Sequence, residues 1–372
     1  MPAMLPEPMK EALRLARQAP APTSPNPTVG AVIVDASGRV VGRGVTEPPP
    51  GAHAEIVALR EAAMQARGAT LYVTLEPCCH QGRTPPCTDA IVAAGVAEVH
   101  YAMEDPDPDV RGRGRRALKA AGIKVVEGEG AAESRRLLEA YIKHRTQGLP
   151  FVIAKFAASI DGRIGAASGD SRWLAGEAAR EWSHQLRCRI DAIIVGSSTV
   201  LIDDPTLTAR PGGQEAPRQP LRVVIDTRGR TPPMARVFTG PARTLVATAT
   251  DAPAAWRAAI EARGAEVLSL PRDGNHVSLP ALLRELAARD VVTALVEGGG
   301  VLLGSFFDRA LVDKVHAVIA PIVIGAADAP APVAGRGAYR MANALRLRDV
   351  EWTRLGDDTL ITGYPAYPQG GE

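Results

Sequence analysis

The chain has 372 residues, 46% of them apolar, and its 43 basic and 41 acidic residues leave a net charge of +2. That length exceeds what one hydrophobic core usually supports, so two domains are expected. The near balance of charge excludes bulk electrostatic attraction to nucleic acid or to an anionic membrane.

No apolar run reaches the roughly 18 residues of a membrane helix, and the start, MPAMLPEPMKEALRLARQ, lacks a signal peptide's apolar centre. A soluble, cytoplasmic protein with no membrane partner is therefore expected. Three of the four cysteines fall between residues 78 and 87. That crowding argues against a disulfide framework and for metal binding or catalysis. Cys188 stands apart and reads as a small buried hydrophobe.

In chain order, the Val- and Ile-rich runs at 29–34, 69–75 and 98–103 alternate with helical stretches such as AEIVALREAAMQARG. This predicts a layered α/β domain whose sheet is covered on both faces. Its last helix spans 131–147 and ends at the Gly and Pro of TQGLP, which sets the domains at 1–147 and 148–372. A second series of strands follows: FVIAKFAASIDG, DAIIVG, LRVVIDT, RTLVATA, AEVLSL, VVTALVEGGG, DKVHAVIAPIVIG and DTLITGY. Helices over 177–189, 254–263 and 279–289 lie between them, making a second α/β domain. The Pro- and Ala-rich stretch 326–337 reads as a surface loop.

A catalytic zinc takes three protein ligands and keeps a fourth position for water, and one imidazole with two thiolates suits it. His53, Cys78 and Cys87 form such a set. A helix over 53–66 puts Glu55 in the same first turn as His53. Zinc lowers the pKa of water to about 7, and Glu55 is the candidate to carry the proton onward to a ring nitrogen and a departing amine. H-x-E followed by P-C-x-x-C is the signature of zinc deaminases; here the second motif is P-C-x8-C, six residues longer. The longer loop carries His80, Arg83 and Thr84 toward a substrate. On the residues alone three readings stay open beside the catalytic one: a closed structural zinc site with Cys79 or His80 as fourth ligand, a redox pair, and packed side chains without metal.

The segments SPNPTVGAVIV, HAE, TLEPCCHQGRTPPC and DPDPDVRGRG, with KFAASIDGRI, SGDSRWL, IDDPTLTAR and VEGGGVLLGSFF, span nearly the whole chain. Together they closely resemble the bifunctional riboflavin-biosynthesis enzymes that fuse a diaminohydroxyphosphoribosylaminopyrimidine deaminase to a 5-amino-6-(5-phosphoribosylamino)uracil reductase. The resemblance implies an N-terminal cytidine-deaminase-like α/β/α domain and a C-terminal dihydrofolate-reductase-like α/β domain. It implies zinc on His53, Cys78 and Cys87, Glu55 as proton shuttle, and a deaminase pocket lined by Asn26, His80, Arg83, Thr84 and Asp105. The implied reactions are hydrolytic loss of the 2-amino group of 2,5-diamino-6-ribosylamino-4(3H)-pyrimidinone 5′-phosphate and NADPH-dependent reduction of the ribosyl group, giving 5-amino-6-ribitylaminouracil 5′-phosphate. Family members assemble as dimers or tetramers, so a homo-oligomer is implied, with no nucleic-acid partner.

In the second half, VEGGG (296–300) reads as a strand ending in glycines before a helix, where backbone N–H groups can approach a phosphate. A full G-x-G-x-x-G pattern is absent, and alone the run is no more than a turn signal. The resemblance implies that Gly299, Gly300, Val301, Leu302, Leu303, Gly304 and Ser305 wrap the NADPH pyrophosphate, with Ala157, Trp173, Thr199, Asp203 and Thr227 also on the cofactor. It implies Lys155, Ser171, Arg187, Leu207, Arg210 and Glu297 for the ribotide, the two arginines as phosphate clamps, with Asp161 nearby. Glu297 and Lys155 are the candidate proton donors. Three positions depart from the family pattern: Thr46 for a histidine, Asp107 for an asparagine, and Ala175 for a threonine.

Two other classes compete. A nucleic-acid-editing deaminase needs a basic or aromatic surface, and its best support is RGRGRR at 111–116. A non-catalytic zinc module is the other.

Overall fold

The computed structural model describes residues 5–19, 22–81, 85–172 and 174–368. Two compact units divide the chain, Met1–Leu149 and Pro150–Glu372. Gly148 stops the last helix of the first unit in the left-handed region, and the first strand of the second begins at Phe151.

The first unit holds strands β1 (Gly30–Val34), β2 (Val40–Val45), β3 (Thr70–Val73), β4 (Glu98–Tyr101) and β5 (Lys124–Glu127), and helices α1 (Glu7–Arg17), α2 (Ala54–Ala62), α3 (Cys87–Ala93), α4 (Arg113–Ala120), α5 (Ala131–Leu137) and α6 (Glu139–Gln147). The strand order is β2-β1-β3-β4-β5. β1 is antiparallel to both neighbours, and β3, β4 and β5 run parallel. The two-residue period of β1 sends Ala31 and Ile33 to one face and Val32 and Val34 to the other. Ala31 and Ile33 pack with Ala54, Ala58 and Ala62 of α2, Ile91 of α3, Leu118 of α4 and Tyr141 of α6. Val32 and Val34 pack with Met9, Ala12 and Leu13 of α1. Two covered faces account for the wholly apolar strand.

The stripe of alanines at every fourth residue of α2 meets glycines in β2. A Cβ on Gly44 would stand 2.0 Å from the Ala54 carbonyl oxygen, and one on Gly42 2.3 Å from that of Ala58. Helix and strand therefore touch backbone to backbone, which fixes the position of the first turn of α2. The helix expected over 53–66 ends as α-helix at Ala62, because Ala63 turns to φ +48° and the chain continues as a 3₁₀ turn. The helix expected over 131–147 is two helices, broken where Leu138 leaves helical geometry to bury its side chain.

The second unit builds one nine-stranded sheet from β6 (Phe151–Ser159), β7 (Ala192–Gly196), β8 (Leu221–Ile225), β9 (Thr244–Ala249), β10 (Glu266–Leu270), β13 (Thr293–Val296), β14 (Lys314–Ala320), β15 (Arg346–Leu355) and β16 (Asp358–Ala366). A small hairpin, β11 (Arg272–Asp273) and β12 (His276–Val277), stands apart. Around the sheet lie α7 (Glu177–Cys188), α8 (Ser197–Asp203), α9 (Ala254–Glu261), α10 (Leu279–Ala287) and α11 (Gly300–Asp308). The order is β10-β9-β8-β7-β13-β6-β14-β16-β15. All neighbours from β10 to β14 are parallel; β16 and β15 close the sheet antiparallel.

The chain runs outward from β6 through β7 to β10, then returns to insert β13 between β7 and β6. That reversal is where open parallel sheets form a crevice at the carboxyl ends of their strands. It is deepened because β13 stops at Val296, opposite Ala154, while β6 continues to Ser159.

Candidate active sites

In the first unit His53 caps α2 in an extended conformation, and Glu55 lies buried in the first turn. Cys78 follows the end of β3, and Cys87 is the first residue of α3 after Pro86. The α3 start is tied back to the loop: the Cys87 N–H donates to Cys78 Sγ at 3.4 Å and the Thr88 N–H to the Cys78 carbonyl at 3.1 Å. A tetrahedral ion at ordinary zinc–nitrogen and zinc–sulfur distances keeps its donors about 3.5 to 3.8 Å apart. His53 Nδ1 lies 3.5 Å from Cys78 Sγ and 3.3 Å from Cys87 Sγ, and all three donor atoms fall within 4.8 Å of one another. Spacing and donor chemistry both fit zinc.

The Cys87 thiol hydrogen-bonds Cys78 and holds it well below the usual thiol range, while the same bond and burial push Cys87 up. His53 is raised, first by its hydrogen bond to Cys78. Burial pushes Glu55 up to about 7, with the Cys78 charge adding to it.

Asp105 is buried and accepts from the Asp107 N–H (2.9 Å) and the Tyr141 hydroxyl (3.2 Å); burial raises its carboxyl to about 7. Asn26 is half-buried in the loop before β1, and His80 is exposed. Arg83 and Thr84 lie outside the described residues. Cys79 stands apart from the ligand cluster, its thiol raised by burial. The Thr46 hydroxyl accepts from the Val29 N–H at 3.1 Å, so it joins β-strand ends. Asp107 faces Arg145 at 3.5 Å, which offsets the extra carboxylate. Within RGRGRR, Arg111 pairs with Glu104 and Arg115 with Glu127, so much of that basic run is neutralised.

One buried residue went unread in the sequence. Glu76 accepts from the backbone N–H groups of Asp105, Gly112 and Arg115, so its carboxylate holds the start of α4 against the strand that leads to Cys78. A Cβ on Gly114 would stand 2.1 Å from the Pro77 carbonyl oxygen, which shows how closely α4 seats on the ligand loop. The signal was a carboxylate directly after an apolar strand.

In the second unit three residues far apart in sequence meet on Glu297. Lys155 Nζ donates to Oε1 at 2.8 Å, and Arg187 donates from Nε (2.9 Å) and Nη2 (2.7 Å) to Oε2. Burial alone raises Glu297, but Arg187 and Lys155 together hold it at about 2. Two cations against one carboxylate favour its ionised form. Arg187 Nη1 also donates to the Thr208 carbonyl (3.1 Å) and Arg210 Nη1 to the Thr206 hydroxyl (3.3 Å), on either side of Leu207 at φ +54°. The Ser171 hydroxyl lies 3.4 Å from Asp203, and Trp173 lies outside the described residues. Asp161 is exposed, and hydrogen bonds from Ser159 and from the Ile324 and Gly325 N–H groups hold it at about 2.

His316 also went unread, lone in an apolar run. Its register partner on β6 is Lys155, its Nδ1 lies 2.9 Å from the Thr362 hydroxyl, and burial with the Lys314 and Lys155 charges drives it down to about 3. A neutral imidazole beside Lys155 follows.

The glycines after β13 divide in their use. A Cβ on Gly299 would meet nothing nearer than Thr199 Oγ1 at 3.9 Å, so the space above it is open, as a dinucleotide phosphate requires. Gly300 and Gly304 serve packing: a Cβ there would stand 2.2 Å from the Ala331 oxygen and 2.5 Å from Ala334. Leu303 and Gly304 are buried, Val301 is exposed, and Leu302 and Ser305 are half-buried. Thr199 Oγ1 accepts from the Gly299 N–H (3.2 Å), and Thr227 Oγ1 from the Val277 N–H (3.1 Å). Ala157 and Ala175 pack against Ala179, Val318 and Leu360. Among the described residues, no helix is long and apolar enough to cross a membrane.

Comparison with known proteins matches each unit to a family. The family described as RibD C-terminal domain matches residues 150–361, and the cytidine and deoxycytidylate deaminase zinc-binding region matches residues 5–103. The chain is 38% identical to riboflavin biosynthesis protein RibD of Bacillus amyloliquefaciens, over 98% of this chain and 97% of that protein. It is 38% identical to the Escherichia coli K12 protein of the same name, over 95% and 97%. The structure of Acinetobacter baumannii RibD superposes with a TM-score of 0.87 at 36% identity, covering 96% of this chain and 98% of that one. A Thermotoga maritima diaminohydroxyphosphoribosylaminopyrimidine deaminase/5-amino-6-(5-phosphoribosylamino)uracil reductase superposes with a TM-score of 0.83 at 33% identity, covering 96% and 98%. The chain thus belongs to the RibD family of bifunctional deaminase–reductases of riboflavin biosynthesis.

Proposed function

We propose that the N-terminal unit hydrolyses the 2-amino group from 2,5-diamino-6-ribosylamino-4(3H)-pyrimidinone 5′-phosphate and that the C-terminal unit reduces the ribosyl group of the product to a ribityl chain. The observation that carries the first half is the zinc-fitting cluster of His53, Cys78 and Cys87 with buried Glu55 two residues from the histidine. The second half rests on Lys155 and Arg187 meeting Glu297 beside the open surface of Gly299.

Zinc, when bound, supplies a Lewis acid that makes water reactive near neutral pH. Glu55, shielded from solvent, would carry the two protons of the attacking water in turn, the first to the ring nitrogen and the second to the leaving amine, so water enters and ammonia leaves. Asp105, buried and raised, offers the substrate a carboxyl that can donate or accept. Asn26, His80, Arg83 and Thr84 are assigned to the remaining polar edges and the phosphate.

NADPH supplies the hydride. The electrophilic carbon is C1′ of the ring-opened ribosylamine, and the protein's part is to align it and exclude water. Lys155 holds a proton at Nζ, kept in place by the Glu297 carboxylate. Arg187 and Arg210 clamp the ribotide phosphate, with Ser171 and Leu207 beside it. Ala157, Trp173, Thr199, Asp203, Thr227 and 299–305 are assigned to the dinucleotide. The working assembly is a cytoplasmic homo-oligomer, a dimer or tetramer. The edge strand β15, exposed along nearly its whole length with Trp352 at 68% exposure, supports association, and sedimentation of the purified chain reads the number.

Glu55→Gln tests the division of labour. The variant should release ammonia about 100- to 10,000-fold more slowly and still reduce the deaminated intermediate at the native rate. Retention of the native ammonia rate would remove Glu55 as the proton carrier.

A further inference from the structure

His316 has no role in the reduction described above, yet it stands beside Lys155. The two-residue alternation of β14 puts His316 and Val318 on one face, and that of β6 puts Lys155 and Ala157 on the same face. Val318 and Ala157 pack together with Ala179 of α7, so this is the face that α7 covers. In the parallel register of the two strands His316 is the direct partner of Lys155, one strand spacing of about 4.8 Å away.

The sheet order brackets the lysine. β13, β6, β14 and β16 are successive neighbours, so Glu297 meets Lys155 from the β13 side, at 2.8 Å, and His316 flanks it from the β14 side. Glu297 is shared with Arg187. A lysine stem has four rotatable carbons, and one contact at its tip leaves the stem free to swing; a packed side chain on the other flank removes that freedom.

The imidazole is itself held. Its other register partner is Thr362 on β16, whose hydroxyl lies 2.9 Å from Nδ1. The two ring nitrogens diverge, so a Nδ1 fixed on Thr362 turns Nε2 away from β16. Trp182 of α7 meets the ring edge-on, with centroids 5.3 Å apart and planes at 82°. An imidazolium at this place would repel the Lys155 ammonium. Burial and the charges of Lys314 and Lys155 keep the ring neutral, and no carboxylate pairs with it among the described residues.

We infer that His316 is a positioning residue of the reductase: it walls the flank of Lys155 opposite Glu297 and keeps the ammonium aimed off the sheet toward the bound ribotide. The inference rests on the reductase reading above, and its test separates the two. Steady-state reduction of the deaminated ribotide by NADPH is measured on the full-length protein and three variants. His316→Leu should lower kcat about 10- to 100-fold, as a displacement of about 1 Å at a reacting group does. Both KM values should stay at the native level, the mark of an interaction that counts only in the transition state. His316→Gln, a neutral amide that can still bond Thr362, should recover most of the lost rate. Thr362→Val, which frees the ring without touching Lys155, should lower kcat by a smaller factor and add little to His316→Leu when the two are combined.

A native kcat in both His316→Leu and Thr362→Val overturns the positioning role, as does a loss that falls on KM or that His316→Gln does not recover; the reductase reading then stands. Should His316→Leu fail to fold, Thr362→Val decides by the same criteria of kcat and KM. Failure of the native protein to consume NADPH with the deaminated ribotide overturns both.

Discussion

The two sites differ in how they are built. Every residue of the zinc cluster falls between His53 and Cys87, held by one helix start on each side of a loop. The Glu297 site joins Lys155, Arg187 and Glu297, and only the order in which strands insert into the sheet brings them together. The first site is written in residue types and spacing, the second in topology. The difference teaches where function can be damaged: the first through a single helix turn, the second through a buried charge balance.

Removing metal should break the comparison most sharply. A chelator strong enough to strip zinc should abolish ammonia release while leaving reduction of the deaminated intermediate intact, measured as the two rates on one preparation. Loss of both rates would mean that the units do not work independently.

Glu297→Gln should show the opposite pattern. It leaves Lys155 and Arg187 buried without their counter-charge, so denaturant unfolding of the C-terminal unit should lose about 3 to 5 kcal/mol, with ammonia release unchanged. The pH dependence has a definite sign. Glu297 is held at about 2, below its ordinary value of 4.5, so its contribution is present above about pH 4.5 and disappears as pH falls toward 2. The variant's stability curve should lack that acid limb.

Asp105 reverses the sign within the first unit. Burial raises it from an ordinary 3.8 to about 7, so the folded state takes up a proton and the group costs stability progressively as pH rises from about 4 to 7. Asp105→Asn should be more stable at pH 8 by roughly 2 to 4 kcal/mol, read by thermal or denaturant unfolding, and slower in ammonia release. A variant less stable than the native protein at pH 8 would mark Asp105 as a structural ion.

The smallest effect concerns the backbone contact behind His53. Gly44→Val puts side-chain atoms where the Ala54 carbonyl lies, so α2 must shift; unfolding should lose about 1 to 3 kcal/mol, and zinc content by metal analysis should fall. The reductase rate should not change.

How much of this was legible follows the same division. The three ligands and Glu55 were readable because imidazole, thiol and carboxylate at those spacings have few structural uses together. Glu76 was not, since a carboxylate directly after an apolar strand does not tell which backbone groups it will hold. In the second unit VEGGG marked a turn, but its glycines look alike in sequence; only the packing of Ala331 and Ala334 shows that Gly299 faces open space and Gly300 and Gly304 do not. β15 escaped because RLRDVEWTRL is exposed on both faces and shows no two-residue alternation. The helix over 131–147 was read as one because its apolar spacing runs through Leu138, and the break there is a tertiary effect of burying that side chain.

The most direct measurement gives purified protein the diaminopyrimidinone ribotide and NADPH and follows ammonia and NADPH absorbance in one cuvette. Ammonia release followed by NADPH loss at matching stoichiometry is the predicted result. Neither signal, in protein shown to carry zinc, would contradict the assignment of substrate to both units.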